Sequence, residues 1–243
     1  AFLEDLPGVC SAYRMLAAAE GLSVGFDPFA HDGSRAPEAQ PLPGTPAAAD
    51  AMLSNALREK VDRAIERLFL LLGVLYPKSE IDLVQANFKE ASASQRANAL
   101  EILDNVVEKS LKRQLIPLLD DTPRAAKLRE AAQLFELPVH SSAEWIQAML
   151  ADENPWIVAC VTYYAGEHRA PGASVWLPSL LNHRSPVVRE AALAALERVV
   201  PAAELQSAVK SALKDDFAPI RKRAETVMQS GLTGPSRTAK ALA

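Results

Sequence analysis

Three segments of this chain superimpose on one another, and that internal recurrence constrains its fold more than any other feature. Phe88–Leu103, Leu181–Leu196 and Leu213–Met228 align so that Arg96, Arg189 and Arg221 take matching places, 93 and 32 positions apart. The larger gap is close to three times the smaller. Intervening copies open with Leu119-Asp120-Asp121-Thr122-Pro123 and with Leu150-Ala151-Asp152-Glu153-Asn154-Pro155, and Leu150 lies 31 positions before Leu181. A period of 31 or 32 residues predicts one supersecondary unit used several times. Such a unit hides its apolar face only by stacking on the next one.

The unit reads as helical. Ala48 to Leu75 carries Leu53, Leu57, Val61, Ile65, Leu68, Leu72 and Leu75 at three- and four-residue spacing. Glu59, Lys60, Asp62, Arg63, Glu66 and Arg67 fall on the opposite side. That is one stripe for a core and one for water. Further helices of about 10 to 16 residues are expected over Ser79–Ala91, Ser94–Glu108, Leu111–Leu119, Pro123–Glu136, Ser142–Ala151, Pro155–Glu167, Ser174–Leu181, Pro186–Val199, Ala202–Leu213 and Pro219–Ser230. Ser142-Ala143-Glu144-Trp145 and Asn154-Pro155 look like helix starts, with a side-chain oxygen for an orphan N–H and a proline where no donor is needed. No stretch alternates like a strand. The N-terminal segment, Phe2 to Leu22, also has a helical stripe through Leu3, Leu6, Val9, Cys10, Tyr13, Leu16 and Ala17, with Pro7 near its start. Between them, Gly21 to Pro46 holds Pro28, Pro37, Pro41, Pro43 and Pro46, which fix the backbone and remove donors. The expected organisation is an N-terminal helix over residues 1–22, a Pro/Gly-rich flexible linker over 23–47, a helical-repeat domain over 48–231 and a tail over 232–243.

The best copy, Leu177-Pro178-Ser179-Leu180-Leu181-Asn182-His183-Arg184-Ser185-Pro186-Val187-Val188-Arg189-Glu190-Ala191-Ala192-Leu193-Ala194-Ala195-Leu196, resembles a HEAT repeat. It has a leucine-rich first helix, a polar turn, then Pro-Val-Val-Arg and a second helix of alanine and leucine. The resemblance implies an all-α, armadillo-like α-α superhelical solenoid of about five stacked pairs. Ala56 to Pro77 together with Arg96 to Asn105 is similar to the soluble HEAT-repeat region of bacterial ATP/ADP-translocase-like transporter proteins, over roughly Ala56 to Asp121. That likeness implies a cytosolic piece of a larger, inner-membrane protein, with the transport chemistry elsewhere. A start at Ala1 rather than methionine fits a processed or excised piece.

Charge and motifs narrow the function classes. With 26 basic and 30 acidic side chains, a formal charge of −4 supplies no global attraction to phosphate. The basic residues near the C-terminus, Lys210, Lys214, Arg221, Lys222, Arg223, Arg237 and Lys240, are interspersed with Glu204, Asp215, Asp216 and Glu225, so a mixed solvated face is expected and nucleic acid is not the expected partner. The longest apolar run, Leu68 to Tyr76, is about half of the ~20 residues a membrane-spanning helix needs, so no membrane insertion by this segment is expected, only tethering through other regions. Cys10 and Cys160 match no redox or metal spacing and are expected to be reduced packing thiols in a cytoplasmic compartment. His31, His140, His168 and His183 are too scattered for a metal set. No P-loop, nucleotide-binding glycine fingerprint, G-x-S-x-G or H-E-x-x-H occurs, so no cofactor, no metal and no catalysis are expected.

Candidate interaction residues are Trp145, Trp156, Arg184, Arg189 and Arg221. Trp145 and Trp156 belong to the aromatic concentration that also holds Tyr163, Tyr164 and Trp176, and exposed aromatics make good anchors. Helical spacing equally suits them to a core. A guanidinium fork suits carboxylate or phosphate. At a structural period, however, the fork more commonly holds an acidic side chain or helix-end carbonyl of a neighbouring repeat. The expected function is a non-catalytic interaction or regulatory scaffold that binds a protein or another domain of the same chain. The alternative is a DNA-associated HEAT-like protein such as a glycosylase, which would need tryptophans and a carboxylate facing one basic groove. A bilin-lyase-like protein shares only the fold analogy.

Overall fold

The structure, a computed structural model, describes residues 8–15, 44–89, 92–119 and 141–232, and all regular structure among them is helical. The helices are α1 (residues 8–15), α2 (Pro46–Leu75), α3 (Lys78–Lys89), α4 (Ala93–Val106), α5 (Lys109–Leu119), α6 (Ser142–Leu150), α7 (Pro155–Glu167), α8 (Ala173–Leu180), α9 (Pro186–Val199), α10 (Ala202–Ala208) and α11 (Ala218–Leu232). A 3-10 turn, Ala212–Lys214, sits between the last two. The all-α expectation is met. The Pro123–Glu136 helix, most of the 23–47 linker, most of the N-terminal segment with Pro7, and all but the start of the 232–243 tail lie outside the described residues. None of the described helices is long and apolar enough to cross a membrane.

The chain forms two compact units, residues 1–39 with 54–145 and residues 40–53 with 146–243. In the first, the apolar stripe of α2 is buried at Leu57, Val61, Ile65, Leu68, Phe69 and Leu72, while Glu59, Asp62, Arg63, Glu66 and Arg67 are exposed. Leu75 departs from expectation. It is 58% exposed, because the helix ends there and the buried stripe has closed at Leu72. The Phe69 ring meets Phe88 of α3 at 5.7 Å in a tilted pair. α3 packs along α4, which packs on α5, and Ile81, Val84, Ala99, Leu103, Leu111 and Leu115 fill that part of the core. Buried Cys10 and Ala12 place α1 in a core as well.

Caps shift several boundaries by a residue or two. The helix expected from Ser94 begins at Ala93, because Ser92 is its N-cap and accepts from the Gln95 N–H at 3.2 Å. Ser142 is not the cap of α6. Ser141 is: its Oγ accepts from the Glu144 N–H at 3.4 Å, and the Glu144 carboxylate accepts from the Ser141 N–H at 2.6 Å. That reciprocal pair is a capping box. Asn154 caps α7 as expected, accepting from the Trp156 N–H at 3.0 Å, with Pro155 in the first turn.

The second unit is organised around α7, whose residues 157–162 and 164–166 are buried. A helix apolar nearly all round belongs in the middle of a domain. α7 packs extensively against α9, and α9 in turn against α8, α10 and α11. Leu177, Leu181, Ala192, Leu193, Leu196, Leu205, Val209, Ile220 and Ala224 join one continuous core. Gly166 sets how close α7 and α9 approach: a Cβ there would stand 2.5 Å from the Ala195 Cα. The single helix expected over Ala202–Leu213 is corrected. It breaks after Ala208, where Val209 donates to the Leu205 carbonyl at 2.9 Å, and it resumes as the 3-10 turn. Helix ends often tighten in this way. Here the tightened turn delivers Asp215 and Asp216 to the start of α11.

Candidate functional site

Three turns of the second unit share one geometry. Before α7, Asp152 Oδ1 accepts from the Asn154 N–H at 2.9 Å. Before α9, His183 Nδ1 accepts from the Ser185 N–H at 3.0 Å. Before α11, Asp215 Oδ1 accepts from the Phe217 N–H at 2.8 Å. A side chain that holds the N–H two residues on makes a compact turn and frees the following residue to start a helix. The acceptors stand 31 and 32 positions apart, the period of the sequence.

Two of the candidate arginines repeat as well. Each lies six residues after its turn acceptor. Arg189 donates from one guanidinium nitrogen to the His183 and Arg184 carbonyls at 3.0 and 3.2 Å. Arg221 donates to the Asp215 carbonyl at 2.6 Å. Arg189 goes further. Its Nε and a terminal nitrogen hold the two oxygens of Asp215 at 2.7 and 2.8 Å, and it also bonds Asp216. This bidentate fork joins α9 to the turn that opens α11. The Arg189 and Asp215 side chains are only 11% and 5% exposed, whereas Asp216 is 89% exposed. The hydrogen bond from Arg189 is the main reason the Asp215 carboxyl drops from an ordinary 3.8 to about 2. The same bond raises the Arg189 guanidinium. Val158 holds the place of Arg189 one period earlier and is buried. With no guanidinium there to pair with, the turn before α9 carries an imidazole acceptor instead of a carboxylate.

Two of the five candidates therefore serve the interior. Arg189 is buried and fully engaged, so it is corrected from a surface residue to an internal clamp. Trp145 is also buried, with the Arg14 guanidinium 5.5 Å from its ring centroid, and is corrected likewise. Trp156 is 43% exposed and Arg184 is exposed, both beside the recurring turns. Arg221 is half-buried. Arg96, the third periodic arginine, lies over the Phe88 ring at 5.9 Å. Periodicity alone does not flag two further exposed apolar side chains, Val187 at the start of α9 and Phe217 in the turn before α11. They join Trp156 at helix starts that share the turn geometry.

A polar cluster that sequence reasoning missed sits at the end of α7. His168 Nε2 lies 2.6 Å from Asp50 Oδ1, and the His168 ring stacks on Tyr164 at 4.2 Å. Burial, followed by the charge of Asp50, pushes the Tyr164 hydroxyl up to about 12. Glu167, next to His168 in sequence, accepts from Arg198 at 3.1 Å, and Arg223 of α11 forks onto Glu197 of α9 at 2.7 and 2.9 Å. Asp50 and His168 are 118 positions apart, and no local pattern announces the pair. Cys160 is buried, and so is Cys10, whose thiol burial pushes up to about 12. No group of three His, Cys, Asp or Glu among the described residues has the arrangement of a metal site. Of the C-terminal basic residues, Arg223 is neutralised by Glu197, while Lys210, Lys214 and Lys222 are exposed.

Comparison with protein-family models, with curated proteins and with solved structures finds no match to this chain.

Proposed function

We propose that the chain is a non-catalytic interaction module of HEAT-like helical hairpins, stacked as a solenoid, that binds a protein or another part of its own chain along its turn edge. The observation that carries this reading is the turn geometry recurring at 152, 183 and 215, with Trp156, Val187 and Phe217 exposed beside it. Internal contacts lock the turns, so exposed apolar side chains there are presented on a rigid frame, which lowers the ordering cost of binding. The likeness of Ala56–Asp121 to transporter-associated repeat regions supports a place as the cytosolic part of a larger membrane protein, and that placement is part of the proposal. The test is quantitative cross-linking in cells with the parent chain and a Trp156→Ser/Val187→Ser variant. The expected result is selective loss of a cross-linked partner in the variant, with unchanged folding. Identical cross-link profiles would overturn the turn-edge reading, as would turnover of a small molecule by the purified chain with no partner found.

A further inference from the structure

Residues 40–53 belong with the second unit, although α2 runs on to Leu75 in the first. The described part, residues 44–53, meets the C-terminal end of α7 and has few apolar holds of its own. It reads Gly-Thr-Pro-Ala-Ala-Ala-Asp-Ala-Met-Leu, and only Ala49 and Leu53 of it are buried. Gly44, at a φ of +77°, turns the chain into α2, and Thr45 Oγ1 caps the helix by accepting from the Ala48 N–H at 3.2 Å. The Gly44 backbone bonds the Tyr163 hydroxyl, and a Cβ at Gly44 would stand 3.6 Å from an Arg198 guanidinium nitrogen. Asp50, the one ionisable side chain of the segment, meets His168 at 2.6 Å. The Asp50 and His168 side chains are only 23% and 28% exposed, so water screens the pair less than an open surface contact.

We infer that residues 44–53 are a pH-dependent strap over the end of α7, closed while His168 is protonated and loosened as it loses its proton, which uncovers Tyr163 and Tyr164. Imidazole is the side-chain group that ordinarily changes charge between pH 5 and 8. His168 is also the C-cap of α7, where free carbonyl ends attract a cation. The other ionisable groups around it among the described residues are committed to one charge state. On α7, burial pushes the Tyr163 and Tyr164 hydroxyls up, so both stay neutral, and Glu167 is tied to Arg198 of α9. Arg169, in the turn after α7, is exposed. The sign follows from the pair itself. Protonated His168 and Asp50 attract as ions, whereas neutral His168 keeps only a hydrogen bond to the carboxylate, so the hold weakens as pH rises. With two buried apolar side chains as its other anchor, the segment depends on that pair for a large share of its attachment.

The test is amide hydrogen exchange of the full chain, read by mass spectrometry between pH 5.5 and 8.5. Rates are converted to protection factors, and α9 of the same unit serves as the internal reference. Protection of residues 44–53 should fall about fivefold relative to α9 as pH rises through this range. His168→Gln should give the low protection at every pH, and Asp50→Asn should likewise remove the step. Arg198→Gln, which deletes a neighbouring cation that does not titrate here, should keep it. Circular dichroism and unchanged α9 protection check that each variant folds. A parent profile with no step relative to α9 overturns the inference, as does a step that survives in His168→Gln or in Asp50→Asn. Loss of the step in all three variants alike also overturns it, since the segment would then be answering to general loosening of the α7 end rather than to the His168–Asp50 pair.

Discussion

Adding one methyl group at Gly166 should destabilise the protein, although the same change at Gly73 should stabilise it. Both glycines lie inside helices, where alanine is favoured by about 1 kcal/mol. The surroundings decide the sign. At Gly73 the new Cβ would meet only the Ile81 Cγ2, at an ordinary 3.9 Å. At Gly166 it would fall 2.5 Å from the Ala195 Cα and 2.6 Å from its Cβ. Carbon atoms prefer roughly 3.5–4.0 Å, so α7 and α9 would have to separate by about 1 Å. Ala165, Ala192, Ala195 and Leu196 around that contact are essentially fully buried, so the shift opens gaps along a sealed interface. Overpacking typically costs about 1–3 kcal/mol, with backbone clashes toward the upper end. Set against the propensity gain, Gly166→Ala should lose about 1–2 kcal/mol, and Gly73→Ala should gain about 0.5–1 kcal/mol. Urea titration followed by circular dichroism would read both as shifts in midpoint. Ala195→Gly added to Gly166→Ala should restore only part of the loss, because the nearest atom is backbone. A Gly166→Ala protein as stable as the parent would refute the close α7–α9 contact.

Three further outcomes follow from the clamp and the thiols. Arg189→Met leaves the buried Asp215 carboxylate without its partner and should cost about 3–5 kcal/mol, whereas Arg189→Met/Asp215→Leu should recover most of that in the same urea titration. The Asp215 carboxyl lies at about 2 in the folded chain and near 3.8 when free, so it contributes stability above about pH 4 that is lost as pH falls toward 2. That contribution is on the order of 2 kcal/mol, and Asp215→Asn should flatten this part of the stability profile measured between pH 5 and 2. Neither buried thiol should react with a chromogenic disulfide reagent at pH 8 in the native protein, and both should react in denaturant; fast native labelling would contradict the burial of Cys10 and Cys160.

Local chemistry made much of the fold legible. Helix type and most boundaries followed from apolar spacing and from proline and asparagine starts, and α7 and α9 begin and end where Asn154-Pro155, Pro186 and their stripes place them. The start of α6 falls at Ser142 as expected, but the cap is Ser141, because its Oγ is the one that meets the Glu144 N–H. The helix expected through Ala202–Leu213 broke because apolar periodicity continues across a turn that burial of Val209 and Ala212 imposes.

The sequence by itself determined that the chain is helical, where the turns recur and which arginines share a register, because caps, periodicity and prolines act within a few residues. Only tertiary structure decided what those arginines and aromatics do. Arg189 turned inward because Asp215, 26 residues on, is carried to it by the next turn, while Arg221 at the same register meets no carboxylate among the described residues. Trp145 is covered and Trp156 is not, and Asp50 finds His168 across 118 positions, because burial and long-range pairing depend on which helices pack together.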